Sequence, residues 1–168
     1  MKPRQKTPNL ELNLINDTQW SLHKQEADSF TLLIFYRGLH CPVCKKQLES
    51  VKNHLDDLTE RGIHVIGISM DTEKRAKKAG EEWDIDELPI GYELSRKTAE
   101  EWGLYFSEGI SDKEPELFSE PGMFLVNSDG TLYFSSVQSM PFARPSIEDV
   151  IKAVDFIKDK DYPARGEA

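Results

Sequence analysis

The amino-acid sequence predicts a three-layer α/β sandwich, a central mixed β-sheet flanked by helices, with an N-terminal β-hairpin leading into it. Three observations carry that prediction. Two continuous apolar runs, Thr31–Tyr36 (TLLIFY) and Ile63–Ser69 (IHVIGIS), are each followed by a segment of helical period, as parallel strands with crossover helices would be. Later, an Asp129-Gly130 turn joins Gly122–Asn127 (GMFLVN) to Thr131–Ser136 (TLYFSS), which makes that pair antiparallel. The chain then closes on an amphipathic segment opening at Ser146.

The elements can be justified in order. From Asn9, LELNL and QWSL on either side of Asp17-Thr18 read as a short hairpin, and residues 1–8 before it are expected to be flexible. TLLIFY is apolar at nearly every position, as a strand covered on both faces must be. Beyond Cys41, the residues Leu48, Val51, Leu55 and Leu58 recur at helical spacing, and Gly62 stands where a C-terminal glycine would end the helix. IHVIGIS is the second buried strand. Asp71 or Thr72 can then cap a helix with Ala76, Ala79 and Trp83 on one face. Pro89–Glu93 is a weaker strand, and Ser95 caps a short helix ending near Trp102. Gly103–Glu120 has no clean period and reads as a loop-like insertion. Ser146, with Asp149 three residues on, opens a last helix with Ile147, Val150, Ile151, Val154 and Ile157 inward.

Composition bounds the function. A length of 168 residues with 38% hydrophobic content closes one core, so residues 1–168 read as a single domain. Charged residues make up 30%, and no apolar run approaches the roughly 20 residues of a bilayer span, which excludes membrane-spanning, collagen-like and wholly disordered chains. Lys and Arg number 21 against 30 Asp and Glu, a formal charge of −9, so the basic field needed to hold nucleic acid is absent. The opening MKPRQKTPNL has no apolar stretch like that of a secretory signal, and a cytoplasmic location is expected.

The chemistry is concentrated in one place. The two cysteines, Cys41 and Cys44, lie three apart in CPVC, a spacing that chance rarely produces and that suits redox chemistry better than a structural staple. A helix N-terminus stabilises a thiolate through its unpaired N–H groups and the positive end of its dipole. Cys41 sits at that end, and Pro42 at the first helical position loses no hydrogen bond and pre-sets the backbone. Cys41 should therefore have the lower pKa and attack first, while Cys44, one turn on, resolves the adduct. Arg37, His40, Lys45 and Lys46 would add positive charge around the pair. Lys45 and Lys46 read more readily as a solvated helix face than as catalytic groups, and His40 would either exchange a proton with a leaving thiolate or point elsewhere. His23, His54 and His64 read as structural or exposed. Zinc would need two further ligands, and with no second cysteine pair or His-x₃-His spacing no metal is expected.

With these segments on the page, TPNLELNLINDTQWSL, FYRGLHCPVC and GMFLVNSDGTLYFSSVQSMPFARPSIEDV resemble, in order and spacing, those of the peroxiredoxin-like branch of the thioredoxin superfamily, the alkyl hydroperoxide reductase and thiol-specific antioxidant family. The resemblance covers nearly the whole chain and implies a thioredoxin-like sandwich. It further implies that Cys41 is the peroxidatic cysteine, forming a sulfenic acid that Cys44 resolves. Three departures stand out. The family signature has Pro seven residues and Thr or Ser three residues before the reactive cysteine, where this chain has Ile34 and Gly38. An Arg commonly precedes the GMFLV-like strand, where this chain has Pro121. A proline there is the thioredoxin arrangement, so a cis Glu120-Pro121 bond against the cysteine pair is expected. Arg144, in MPFARPS, resembles a second peroxiredoxin arginine and would either assist Cys41 or pair with a surface carboxylate.

The function expected is a thiol-dependent antioxidant oxidoreductase that cycles between dithiol and disulfide, with a peroxide or a disulfide as oxidising substrate. It needs no bound cofactor. An external thiol (thioredoxin, glutaredoxin or glutathione) would supply electrons, and the family resemblance makes a homodimer plausible. Two alternatives stand beside it: a thioredoxin-type disulfide reductase, and a redox sensor whose Gly103–Glu120 insertion docks a client.

Overall fold

A computed structural model describes residues 1–168. Its centre is a five-stranded sheet of order β5-β4-β3-β8-β9, built from β3 (Phe30–Phe35), β4 (Ile63–Ile68), β5 (Ile90–Gly91), β8 (Gly122–Asn127) and β9 (Leu132–Val137). β3 pairs in parallel with β4, and β4 with β5, while β8 runs antiparallel to both β3 and β9. The mixed sheet is thus the one expected. Every residue of β3 is buried, because helices cover one of its faces and the N-terminal hairpin with a further helix covers the other.

Alternation along β3 sorts its side chains between two cores. Leu32, Ile34 and Tyr36 face α1 (Pro42–Asn53), α2 (Leu55–Glu60) and α5 (Ile147–Lys160), meeting Cys44, Leu48, Val51, Leu58, Val150 and Val154. Leu33 and Phe35 face the other way, toward the hairpin β1 (Glu11–Asn13) and β2 (Gln19–Ser21) and toward α4 (Arg96–Glu101) with Trp102 behind it. α3 (Glu73–Glu82) joins the first layer through Ala79 and Trp83. No helix is long and apolar enough to cross a membrane.

Caps are where the side-chain chemistry places them. Thr72, Ser95 and Ser146 accept hydrogen bonds from the backbone N–H of Arg75, Thr98 and Asp149, so each supplies one of the partners a helix start lacks. Three expectations need correction. The single helix from the cysteines to Gly62 is two helices, broken at His54, whose ring Nδ1 lies 2.8 Å from the Ser50 carbonyl oxygen while its backbone N–H is shared between Ser50 and Val51. Gly103–Glu120 is not simply loop, for it contains the hairpin β6 (Phe106–Glu108) and β7 (Leu117–Ser119), too short for a period to show. Residues 1–8, expected to be flexible, run alongside β9: Arg4 N–H donates to Leu132 O at 2.7 Å, Leu132 N–H to Gln5 O at 2.9 Å and Thr7 N–H to Gly130 O at 3.0 Å. That edge strand would otherwise leave its donors and acceptors unpaired.

Candidate active site

The site lies at the C-terminal end of β3, where Tyr36–His40 cross over to the first turn of α1. Cys41 is the N-cap of α1 and Pro42 its first helical residue. The Cys44 backbone N–H donates to Cys41 Sγ at 3.2 Å, the contact a helix N-terminus offers to an anion. The two sulfurs are bonded to each other, with Cα atoms 5.2 Å apart. Cys44 is fully buried and Cys41 retains 4% of its surface, so Cys41 is the less buried cysteine.

The loop before Cys41 is held by a buried carboxylate that sequence reading assigned no role beyond a possible helix cap. Asp71 Oδ2 accepts the Leu39 backbone N–H at 2.8 Å, and its Oδ1 accepts Arg75 Nε at 3.0 Å. This anchor accounts for Gly38. Its φ of +134° lies in a region side chains avoid, and a Cβ there would come within 2.7 Å of Asp71 Oδ1. The hydroxyl that the family carries at this position has no room in this backbone.

The second support comes from the β6–β7 hairpin. Glu120, whose side chain is only 4% exposed, accepts two hydrogen bonds from Arg37, from Nε at 2.7 Å and from Nη2 at 2.9 Å, and a third from Ser107 Oγ at 2.6 Å. Arg37 also lies over the Phe118 ring at 5.5 Å. The positive charge expected of Arg37 is therefore cancelled by its own ion pair. Glu120 escaped sequence reasoning, although a lone acid inside the otherwise apolar FSEPGMFLV is the signal that could have found it.

The Glu120-Pro121 bond is trans, as are all others in the chain, against the expectation of a cis bond. Glu120 N–H donates to Tyr105 O at 2.8 Å, Gln138 N–H donates to Pro121 O at 2.9 Å, and the chain passes extended from β7 into β8. That path needs no reversal, and the ordinary trans preference prevails. Pro121 therefore marks the start of β8 beside Gln47 and Arg144 without the reversed bond of the thioredoxin arrangement.

His40 does not add charge either. Its ring packs edge-on against Phe118 at 4.7 Å, both ring nitrogens lack hydrogen-bond partners, and burial pushes its pKa below the ordinary 6.5, so it is neutral near pH 7. A folded-state pKa below the unfolded one means that the unfolded chain binds more protons on acidification. The stability His40 contributes is therefore full above pH 6.5 and lost as the pH falls through the depressed value. Urea midpoints measured across this range should fall with acidification, and His40→Phe should flatten that part of the profile. Lys45 pairs at 3.8 Å with Glu49 on the open side of α1, the solvated-face reading.

Arg144 does reach the site, and it reaches Cys44. Its Nη2 and Nη1 lie 3.5 and 3.6 Å from Cys44 Sγ, its Nη1 also donates to Gln47 Oε1 at 2.6 Å, and its Nε donates to Pro141 O at 2.7 Å. Burial lowers its pKa to about 10, the repulsion from Arg37 being opposed by the attraction of Glu120, and leaves it cationic at neutral pH. No group of metal-binding side chains is present.

A bonded cysteine pair three positions apart, opening a helix at the end of a central strand and with an arginine on its second sulfur, sits on a thioredoxin-like sandwich. Residues 3–135 match the AhpC/TSA family, and the chain belongs to it. Among curated relatives, peroxiredoxin-2 of Cricetulus griseus is 24% identical over 133 residues, 74% of this chain and 62% of that protein. The 1-Cys peroxiredoxin PER1 of Arabidopsis thaliana is 33% identical over 64 residues, 38% of this chain and 29% of its own. Of solved structures, peroxiredoxin 6 of Arenicola marina superposes with a TM-score of 0.81 at 17% identity over 96% of this chain and 75% of its own. Peroxidoxin BcpB of Mycobacterium tuberculosis gives 0.77 at 18% identity over 94% and 98%.

Proposed function

We propose that this chain is a thiol-dependent antioxidant oxidoreductase in which Cys41 attacks and Cys44 resolves. The Cys41 thiolate attacks one oxygen of a peroxide, an S–O bond forms as the O–O bond breaks, and the departing oxygen leaves as water or an alcohol once protonated. Cys44 thiolate then attacks that sulfur and expels hydroxide, closing the internal disulfide. An external thiol, with thioredoxin, glutaredoxin or glutathione the candidates, returns the pair to the dithiol. A cytoplasmic setting supplies such thiols, and a homodimer would accord with the family. The observation that carries the reading is Cys41 Sγ at the N-cap of α1, one turn from its partner sulfur.

A second reading is favoured by Gly38. Without a hydroxyl at position 38 to orient a peroxide, and with Arg37 paired to Glu120, the same nucleophile could serve protein disulfide exchange. The second-order rate constant for oxidation of the reduced protein by hydrogen peroxide, from rapid quench and mass analysis of the Cys41–Cys44 disulfide, separates the two. A value orders of magnitude above that of a free thiolate is expected of a peroxidase. A value no better than a free thiolate would leave disulfide exchange.

A further inference from the structure

The arginine of this site stands on the wrong sulfur for peroxide chemistry. Both Nη atoms of Arg144 point at Cys44 Sγ, and the side chain has no carboxylate within ion-pair distance, its other partners being the neutral oxygens of Gln47 and Pro141. A half-buried guanidinium without a counter-ion within ion-pair distance is costly, and the anion that would satisfy it is a thiolate on Cys44. That anion exists only when the disulfide is open.

We infer that Arg144 is a catalytic residue of the disulfide-opening step, stabilising Cys44 as the leaving thiolate when an external thiol reduces the pair. The inference rests on the Cys41-first reading given above. A reductant thiolate attacks the Sγ of Cys41, the less buried cysteine, and the bond to Cys44 breaks with its electron pair passing to Cys44 Sγ beneath the guanidinium. A second thiolate attacks the mixed disulfide, releases the Cys41 thiolate and leaves the reductant oxidised by two electrons. A lower leaving-group pKa speeds the first of these steps, and stabilising the reduced form makes the disulfide more oxidising. The shallow groove of about 230 Å³ between α1 and the start of α5, lined by Val43, Gln47, Ser50, Arg144 and Ile147, opens beside this contact.

The groups acting on Cys44 can be named from each side. α1 brings Cys41 and its N-terminal dipole, the segment before α5 brings Arg144, and the Arg37–Glu120 pair contributes a charge and its opposite. Burial alone would raise the thiol pKa above the ordinary value of about 8.5. An adjacent arginine lowers an acid by about 1–3 units.

The test titrates Cys44 by thiolate absorbance in Cys41→Ser, with and without Arg144→Met, and measures reduction of the oxidised wild-type and Arg144→Met proteins by dithiothreitol. The expected result is a Cys44 pKa below 8.5 that rises by about 1–3 units in Arg144→Met. Taking a leaving-group sensitivity similar to the 0.4–0.5 of attacking thiols, reduction slows by about 3- to 30-fold. Arg144→Lys, which keeps the charge, should recover part of both. If Arg144→Met does not fold, the Cys44 pKa in the Arg144 background decides: a value at or above 8.5 overturns the proposal. So does an Arg144→Met variant that leaves the Cys44 pKa in place and instead loses sulfenate formation at Cys41 in a Cys44→Ser background. Failure of Cys41 to react with peroxide would sink the peroxidase reading while leaving the Cys44 titration intact, so the two failures are distinguishable.

Discussion

Cys41→Ser is expected to reduce both peroxide consumption and disulfide exchange to the uncatalysed background, whereas Cys44→Ser is expected to keep one round of attack and then stop. The asymmetry follows from position. Cys41 Sγ caps α1 and accepts the Cys44 N–H, the arrangement that holds a thiolate ready, and it keeps the little solvent contact the pair has. In Cys44→Ser the product of that attack has no internal thiol to displace it. Mass analysis should then find Cys41 as a sulfenic acid with peroxide, or as a stable mixed disulfide with a disulfide substrate. If Cys41→Ser stayed active and Cys44→Ser were dead, the roles of the two sulfurs would be reversed.

The second large effect is on stability, and it concerns Glu120. Replacing it with alanine strips Arg37 of both short hydrogen bonds and of its one ion-pair partner, and leaves Ser107 Oγ without its acceptor. Breaking one side of a buried ion pair costs about 3–5 kcal/mol. The Arg37 side chain keeps 20% exposure and can turn in part toward water, so about 3 kcal/mol is expected for Glu120→Ala. Removing both charges at once, as Arg37→Met with Glu120→Leu, should restore most of the loss. Denaturant unfolding of the two single variants and the double variant checks this, and a single-variant loss below about 1 kcal/mol would show the pair to be as weak as a surface bridge.

What could be read without coordinates followed from how locally each feature is determined. TLLIFY and IHVIGIS announce themselves because strands covered on both faces must be apolar throughout, and Ser146 announces α5 because its hydroxyl meets an N–H three residues away. The Cys41–Cys44 pair was legible for the same reason, since sequence spacing alone brings the sulfurs within bonding reach. Glu120 was not, because the arginine that explains its burial lies 83 residues earlier in the chain. The β6–β7 hairpin was hidden by three-residue strands that hold too few positions for alternation to register. Pro121 misled for a related reason: its identity permits either isomer, and the hydrogen bonds from Glu120 N–H to Tyr105 O and from Gln138 N–H to Pro121 O, whose partners are distant in the pattern, fix the extended path. Arg144 lies against Cys44, neither at Cys41 nor on a surface carboxylate, a placement that depends on how the loop before α5 folds back on α1.

The short span between the two cysteines bears on signalling as well as catalysis. Residues three apart in an α-helix have Cα atoms about 5 Å apart, and Cys41 and Cys44 stand at 5.2 Å with their sulfurs already joined. Bond formation therefore asks for no melting of α1 and no travel of a distant segment. A messenger protein must look different to its listener before and after oxidation. With the bond closing inside the first turn of α1, the change expected on reduction is confined to that turn, which suits a carrier of electrons better than a carrier of news.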